Sequence, residues 1–131
     1  MPQSLAVDGT VDSFIEMYAR RYTQRDVEGI TDLCLWPFLA IRGGRAIHLR
    51  DRAAVRDHIA GEVMAYRIAT GTATWTPIEV DVRQLGEHAA FATVRWNAND
   101  ADGDVVRDTW TSFQLLKTPE GWRFLSYVNH F

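Results

Sequence analysis

The two halves of this sequence follow different hydrophobic periodicities, and that split limits the fold more than any single motif. Up to about residue 70, apolar side chains recur mainly at helical spacing. From residue 73 onward they alternate over long runs separated by turn residues. Helices gathered in one half and strands in the other predict an α+β fold, with helices on one face of a mostly antiparallel sheet. At 131 residues the chain can bury a sizeable core. A composition of 47% hydrophobic and 24% charged residues excludes a disordered polymer. No linker, repeat or low-complexity tract interrupts it.

The first helix is expected over Val11 to Gln24. Val11, Phe14, Ile15, Tyr18 and Tyr22 form one apolar stripe, with Thr10 or Asp12 as cap. A second helix starts at Asp26 and buries Val27, Ile30, Leu33 and Cys34. Trp36-Pro37 ends it, because the residue before proline is pushed out of the α region. Phe38–Arg42 and Arg45–Leu49 flank Gly43-Gly44 and read as a tight hairpin, since both turn positions need positive φ. Asp51 caps a third helix with Val55, Ile59, Val63 and Tyr66 on its buried face. Four strands follow: Ala73–Leu85, with an edge or bulge at Pro77, then His88–Asn99, Val105–Lys117 and Trp122–Phe131. Met1 to Gly9 reads as a loose tail before a single domain over 10–131.

Charge excludes one class of partner. Fourteen basic against seventeen acidic side chains leave a net charge of −3, with no basic field for nucleic acid. No apolar stretch is long enough to span a membrane, and the first ten residues lack the pattern of a signal peptide. A lone cysteine, Cys34, makes a reducing cytoplasm the expected compartment. The sequence has no glycine-rich phosphate loop and no metal-ligand spacing, so no cofactor and no metal are expected.

The element order combines with two local patterns. One is Phe14-x-x-x-Tyr18-Ala19-x-x-Tyr22 followed by Arg25-Asp26-Val27-Glu28-Gly29-Ile30. The other is Glu120-Gly121-Trp122-Arg123-Phe124 before the last strand. Together they resemble the NTF2-like superfamily, specifically its SnoaL-like and ketosteroid-isomerase-like members, over about residues 10–131. The resemblance implies a cone-shaped α+β fold: three N-terminal helices on a curved, mostly antiparallel sheet, around an apolar pocket. It also implies a dimer through the outer sheet face. Activities in the superfamily include isomerases, dehydratases and cyclases, besides non-catalytic binders, so fold does not give function. Aligned with the isomerases, Tyr18 takes the position of their oxyanion tyrosine, and about Thr111 that of their second donor. Arg42 takes the position of their catalytic aspartate, and a guanidinium does not serve as that base. One of three isomerase positions is kept.

The residues themselves nominate further site candidates. Tyr18 is a candidate hydrogen-bond donor, or simply core. The hairpin sets Arg42 opposite Arg45 on one face, where they form an anion clamp or pair with Asp51 or Glu62. If Trp122 and Phe124 face inward, strict alternation also turns Ser126, Val128 and His130 inward, making His130 a candidate acid or base. Its alternative is a solvent or dimer position. Tyr22, Trp36, Phe38, Trp96 and Phe113 are candidate pocket lining, with Trp96 above the small row Ala90, Ala92 and Val94. His48 and His88 are expected outside, and His58 with Glu62 as a surface pair. Cys34 is expected to be an inert buried thiol.

Alternation puts Arg107, Thr109 and Thr111 inward, and Asp108, Trp110 and Ser112 outward, unless a bulge near Asp108 exchanges them. Trp110 and Tyr127 would then anchor a homodimer on the outer face. Three readings follow: a small isomerase, dehydratase or cyclase acting on an apolar or anionic ring compound; a non-catalytic ligand-binding dimer; or an interaction module whose cone is filled by Trp36, Trp96 and Trp122.

Overall fold

The computed structural model describes residues 10–130, so the tail expected over residues 1–9, and Phe131, lie outside the described residues. Helix α1 (Val11–Thr23) starts where Thr10 accepts a hydrogen bond from the Ser13 N–H at 3.1 Å, which settles the cap in favour of Thr10. Val11, Phe14, Ile15, Ala19 and Tyr22 are buried, as the stripe requires.

Helix α2 (Val27–Thr31) is shorter than expected. Asp26 caps it, accepting from the Gly29 N–H at 2.9 Å, but it closes at Thr31 instead of running to Trp36. Leu33 and Cys34 are still buried, yet Cys34 opens strand β1 (Cys34–Arg42). The Leu33 carbonyl accepts from the Phe124 N–H at 2.8 Å, so pairing with the last strand takes the chain away from the helix. Trp36-Pro37 is a cis bond in the interval between Cys34 and Leu39 where that pairing lapses. Pro37 has no N–H to give a ladder, and it sits where none is needed. Strand β2 (Arg45–Leu49) then pairs with β1 across Gly43 and Gly44, both at positive φ.

Asp51 caps α3 (Arg52–His58) by accepting from the Ala54 N–H at 2.9 Å. The helix continues through a wider π turn (Ile59–Val63) into α4 (Met64–Ala69). The π turn holds one extra residue, so the buried face advances by one. Val55 before it and Ile59 at its first position face the core, and Met64 and Arg67 do so after it. Val63 and Tyr66, expected to be buried on a regular helix, are half-buried instead.

Strands β3 (Thr74–Leu85), β4 (Ala89–Asn99), β5 (Val105–Thr118) and β6 (Gly121–Asn129) complete a six-stranded mixed sheet of order β2-β1-β6-β5-β4-β3. All neighbours are antiparallel except β1 and β6. Pro77 lies on the edge strand β3, next to a bulge that leaves Ile78 without a partner on β4. On β5 the main expectation holds. Arg107 pairs with Ala98, Thr109 with Trp96 and Thr111 with Val94, while Asp108, Trp110 and Ser112 take the outer face.

The decisive irregularity is in β6. Leu115 pairs with Phe124 and Gln114 with Ser126, so Leu125 is an extra residue. Trp122 and Phe124 face the core as expected. Beyond Leu125 the alternation reverses, and Tyr127 and Asn129 turn inward in place of Val128 and His130. Tyr127 is therefore not an outer-face residue, and His130 is not in the interior.

Candidate functional site

Between α1, the α3–α4 segment and the concave sheet face lies a cavity of two adjoining lobes. One lobe, of about 50 Å³, meets Arg42, Tyr66, Trp75, Arg107 and Asn129. The other, of about 40 Å³, is walled by Ile30, Cys34, Phe38, Val55, His58 and Ile59. Tyr18, Val63, Phe113 and Tyr127 border both. Each lobe is well below the ~300 Å³ at which drug-sized ligand pockets begin, and aromatic rings pack around them. Trp75 stacks on Trp96 with centroids 4.9 Å apart, and Tyr22 stacks on Trp75 at 5.1 Å. A wider open groove of about 430 Å³ between α1 and β3 gathers only Glu16 and Arg20 as charged groups, one helical turn apart.

Of the candidates, the structure brings Tyr18, Tyr22, Phe38, Arg42, Trp96, Thr111 and Phe113 to the cavity. Tyr18 sits edge-on to Phe124 at 5.3 Å and Trp96 at 5.8 Å. Burial pushes its hydroxyl well above the usual phenol range, so it stays a neutral donor. Thr111 Oγ1 donates to Asn129 Oδ1 at 3.2 Å. Three candidates fall outside. Trp36 is 44% exposed on the irregular part of β1, and it fills no cone. His130 is exposed on the outer face, its Nε2 2.8 Å from Ser112 Oγ. Arg45 does pair with Arg42 across the hairpin, but it points to solvent, 3.4 Å from Glu62. Glu62 joins the two guanidiniums: its carboxylate also lies 3.8 Å from Arg42 Nε. Trp122 is buried near the chain turn at Lys117, away from both lobes.

The most reactive-looking cluster was not among those candidates. His58, expected on the surface, has a side chain only 4% exposed, and its Nε2 is 2.6 Å from the Tyr127 hydroxyl. Its Nδ1 faces Glu62 at 3.7 Å. Arg42 Nη1 donates to the same Tyr127 hydroxyl at 3.1 Å. The chain Glu62–His58–Tyr127–Arg42 thus runs from the protein surface to the cavity wall. Desolvation lowers the pKa of His58, with Arg42 and Arg45 adding to it and Glu62 opposing, so the imidazole is neutral at pH 7. Burial also raises Tyr127, against the pull of Arg42. One signal for His58 was present in the sequence: it shares the apolar stripe of Val55 and Ile59 at helical spacing. Tyr127 had none, because the bulge at Leu125 decides its direction.

Arg107 reaches the cavity from β5, its guanidinium 4.5 Å from the Tyr66 ring centroid and 5.1 Å from that of Trp75. Among the described residues, no carboxylate side chain lines either lobe. The Cys34 thiol, pushed up to about 12 by burial, is unreactive. Among the described residues, no group of three or more His, Cys, Asp or Glu side chains is placed to hold a metal, and no helix is long and apolar enough to cross a membrane.

The fold has solved counterparts. It is similar to an NTF2-like protein with a cystatin-like fold from Novosphingobium aromaticivorans, at TM-score 0.70 and 20% identity, covering 97% of this chain and 82% of the other. It is similar to Aln2 from a Streptomyces species, at TM-score 0.71 and 17% identity, covering 97% and 90%. A protein of the NTF2-like family from Streptomyces avermitilis, provisionally described as a dehydratase, aligns at TM-score 0.71 and 19% identity over 96% and 95%. Identities this low speak for the fold alone. No curated protein matches. The family described as NTF2-like protein (DUF6841) matches residues 7–131, nearly the whole sequence, and this chain belongs to it.

Proposed function

We propose that this protein binds a small ring compound bearing an anionic group, in the manner of a SnoaL-like pocket protein. The observation that carries the reading is the charge of the cavity wall: among the described residues, Arg42 and Arg107 border the same lobe and no carboxylate side chain does. Aromatic faces from Trp75, Trp96 and Phe113 supply a seat for a ring, and the guanidiniums a seat for its carboxylate or phenolate. The small free volume favours a compact ligand, or one that displaces Tyr66 and Arg107. Structural counterparts described as dehydratase and ketosteroid isomerase are compatible with turnover of such a ligand.

The test is a titration of intrinsic tryptophan fluorescence with benzoate and with its neutral isostere benzamide. Benzoate should bind at least ~10-fold more tightly, a difference of about 1.4 kcal/mol, and Arg107→Gln should reduce that preference. Equal binding of the two, or none, would remove the reading.

A second reading, a homodimer over the outer sheet face, keeps one of its two anchors. Trp110 lies half-buried on that face opposite Arg95, whose bidentate contact with Asp108 borders it, whereas Tyr127 has left it. A cytoplasmic location remains a proposal supported by the free, buried Cys34.

A further inference from the structure

Two buried hydrogen-bond donors on the cavity wall stand without an acceptor among the described residues: the indole Nε1–H of Trp75 and that of Trp96. Trp75 is 8% exposed and Trp96 0%. Native interiors leave few such groups, because a buried N–H without an acceptor forfeits its hydration and regains nothing. Here two occur side by side. The rings stack with centroids 4.9 Å apart and planes 17° from parallel, and both border the lobe that meets Arg42 and Arg107. An indole nitrogen donates only. Were packing the sole need, phenylalanine would fill much of this wall, as Phe113 does on the same lobe, with no donor to orphan.

Two of the lobe's oxygens are already engaged. Asn129 Oδ1 accepts from Thr111 Oγ1 at 3.2 Å. The Tyr127 hydroxyl accepts from Arg42 Nη1 at 3.1 Å and lies 2.6 Å from His58 Nε2. Both indoles stand on the sheet, Trp75 on β3 opposite Ala98 and Trp96 on β4 opposite Thr109, so strand pairing holds them in place. The anion-binding reading uses the guanidiniums and the ring faces, and it leaves these two N–H groups unexplained.

We propose that Trp75 and Trp96 are ligand-binding residues that set specificity: their N–H groups bind acceptor atoms of the ring compound, apart from its anionic group. The ligand class is a compact ring acid with a second acceptor, a ring nitrogen or a ring carbonyl oxygen, facing the indoles. A ring N–H at the same point would set donor against donor and be rejected. The acid part rests on the anion-binding reading above, and the second acceptor rests on the indoles alone. Each indole N–H is covered in the ligand-free form, so the ligand must displace a side chain to reach it, as the small free volume already requires.

The test follows the ¹⁵N-labelled indoles of the unaltered protein by NMR at pH 7. Trp75→Phe and Trp96→Phe assign the two resonances. Contacts with the Tyr22 and Tyr18 rings assign them should a variant not fold. Without ligand, both N–H protons should lie upfield, where indoles lacking an acceptor resonate. A downfield, hydrogen-bonded position at either removes that residue from the site, and at both overturns the proposal. Benzoate is then compared with picolinate, nicotinate and isonicotinate, which replace one ring C–H by an acceptor nitrogen at nearly constant size. The best of the three should bind about fivefold more tightly than benzoate, in line with one net neutral hydrogen bond. It should also move at least one of the two resonances downfield. Pyrrole-2-carboxylate, whose ring N–H is a donor, should bind more weakly than benzoate. A folded Trp75→Phe or Trp96→Phe should lose the fivefold preference while still binding benzoate. Pyridine acids that bind no better than benzoate, or that leave both resonances unmoved, overturn the proposal.

The two readings fail separately. Benzoate preferred over benzamide, with no gain from the ring nitrogen, removes this proposal alone. If no acid binds, neutral pyrazine decides. A downfield shift of either indole then keeps the second acceptor and removes only the anion seat, and no shift removes both.

Discussion

Arg67 shows how one residue can hold an architecture. Its guanidinium is buried and donates to four carbonyls: Tyr22 at 2.5 Å, Thr23 at 3.0 Å, Thr72 at 3.0 Å and Ala73 at 2.7 Å. It thereby ties the end of α1 to the loop leading into β3. Arg67→Ala would orphan buried acceptors and should cost about 3 kcal/mol, read from urea unfolding. Arg67→Lys should recover little, because one ammonium cannot serve a fork of four acceptors. His58 makes a prediction about acid. Its folded pKa lies below the ordinary 6.5, so the unfolded chain binds more protons as the pH falls through 6.5. Its share of stability is full above pH 6.5 and declines toward the lower folded value. His58→Gln should therefore shallow the fall of the melting temperature between pH 7 and pH 5. An unchanged slope would mean that His58 is not desolvated in solution.

Among the elements, the short helix α2 depends on a single cap. The Asp26 carboxylate sits against the Gly29 amide, and a Cβ at Gly29 would collide with it. Gly29→Ala and Asp26→Ala should each cost about 1–2 kcal/mol by breaking the same cap. Their double mutant should lose clearly less than the sum, because the cap can be broken only once. A fully additive double mutant would show that Gly29 serves something else. The caps Asp26 and Asp51 and the Gly43-Gly44 turn were legible because each depends on neighbours within three residues. The end of α2 was not, since Leu33 and Cys34 satisfy a helical stripe and a strand equally well. What takes Cys34 into β1 is a partner ninety residues later, Phe124. The π turn and the extra residue Leu125 also left no local trace.

For the molecule as a whole, the outer sheet face remains to be accounted for. Trp110 stands there beside a network in which Thr93, Ser112 and His130 are linked at 3.0 and 2.8 Å. If two copies meet over this face, light scattering will give twice the mass of one chain, and Trp110→Glu will give a single chain with unchanged far-UV circular dichroism. A monomeric unaltered protein would leave the face without that role. The concave side works independently of it: one wall comes from α1, another from the π turn, and the floor from β4, β5 and β6.

By itself the sequence determined what short-range physics determines. Periodicity placed the helices and strands, and capping residues and turns set most of their ends. It also carried the family resemblance and the cavity positions of Tyr18, Arg42, Trp96 and Phe113. Tertiary structure alone decided the chemistry of the cavity. Side-chain direction in a strand has period two, so one extra residue at Leu125 exchanges every later side chain between the faces. That exchange sends His130 out and brings Tyr127 within 2.6 Å of His58, a juxtaposition of residues 69 positions apart.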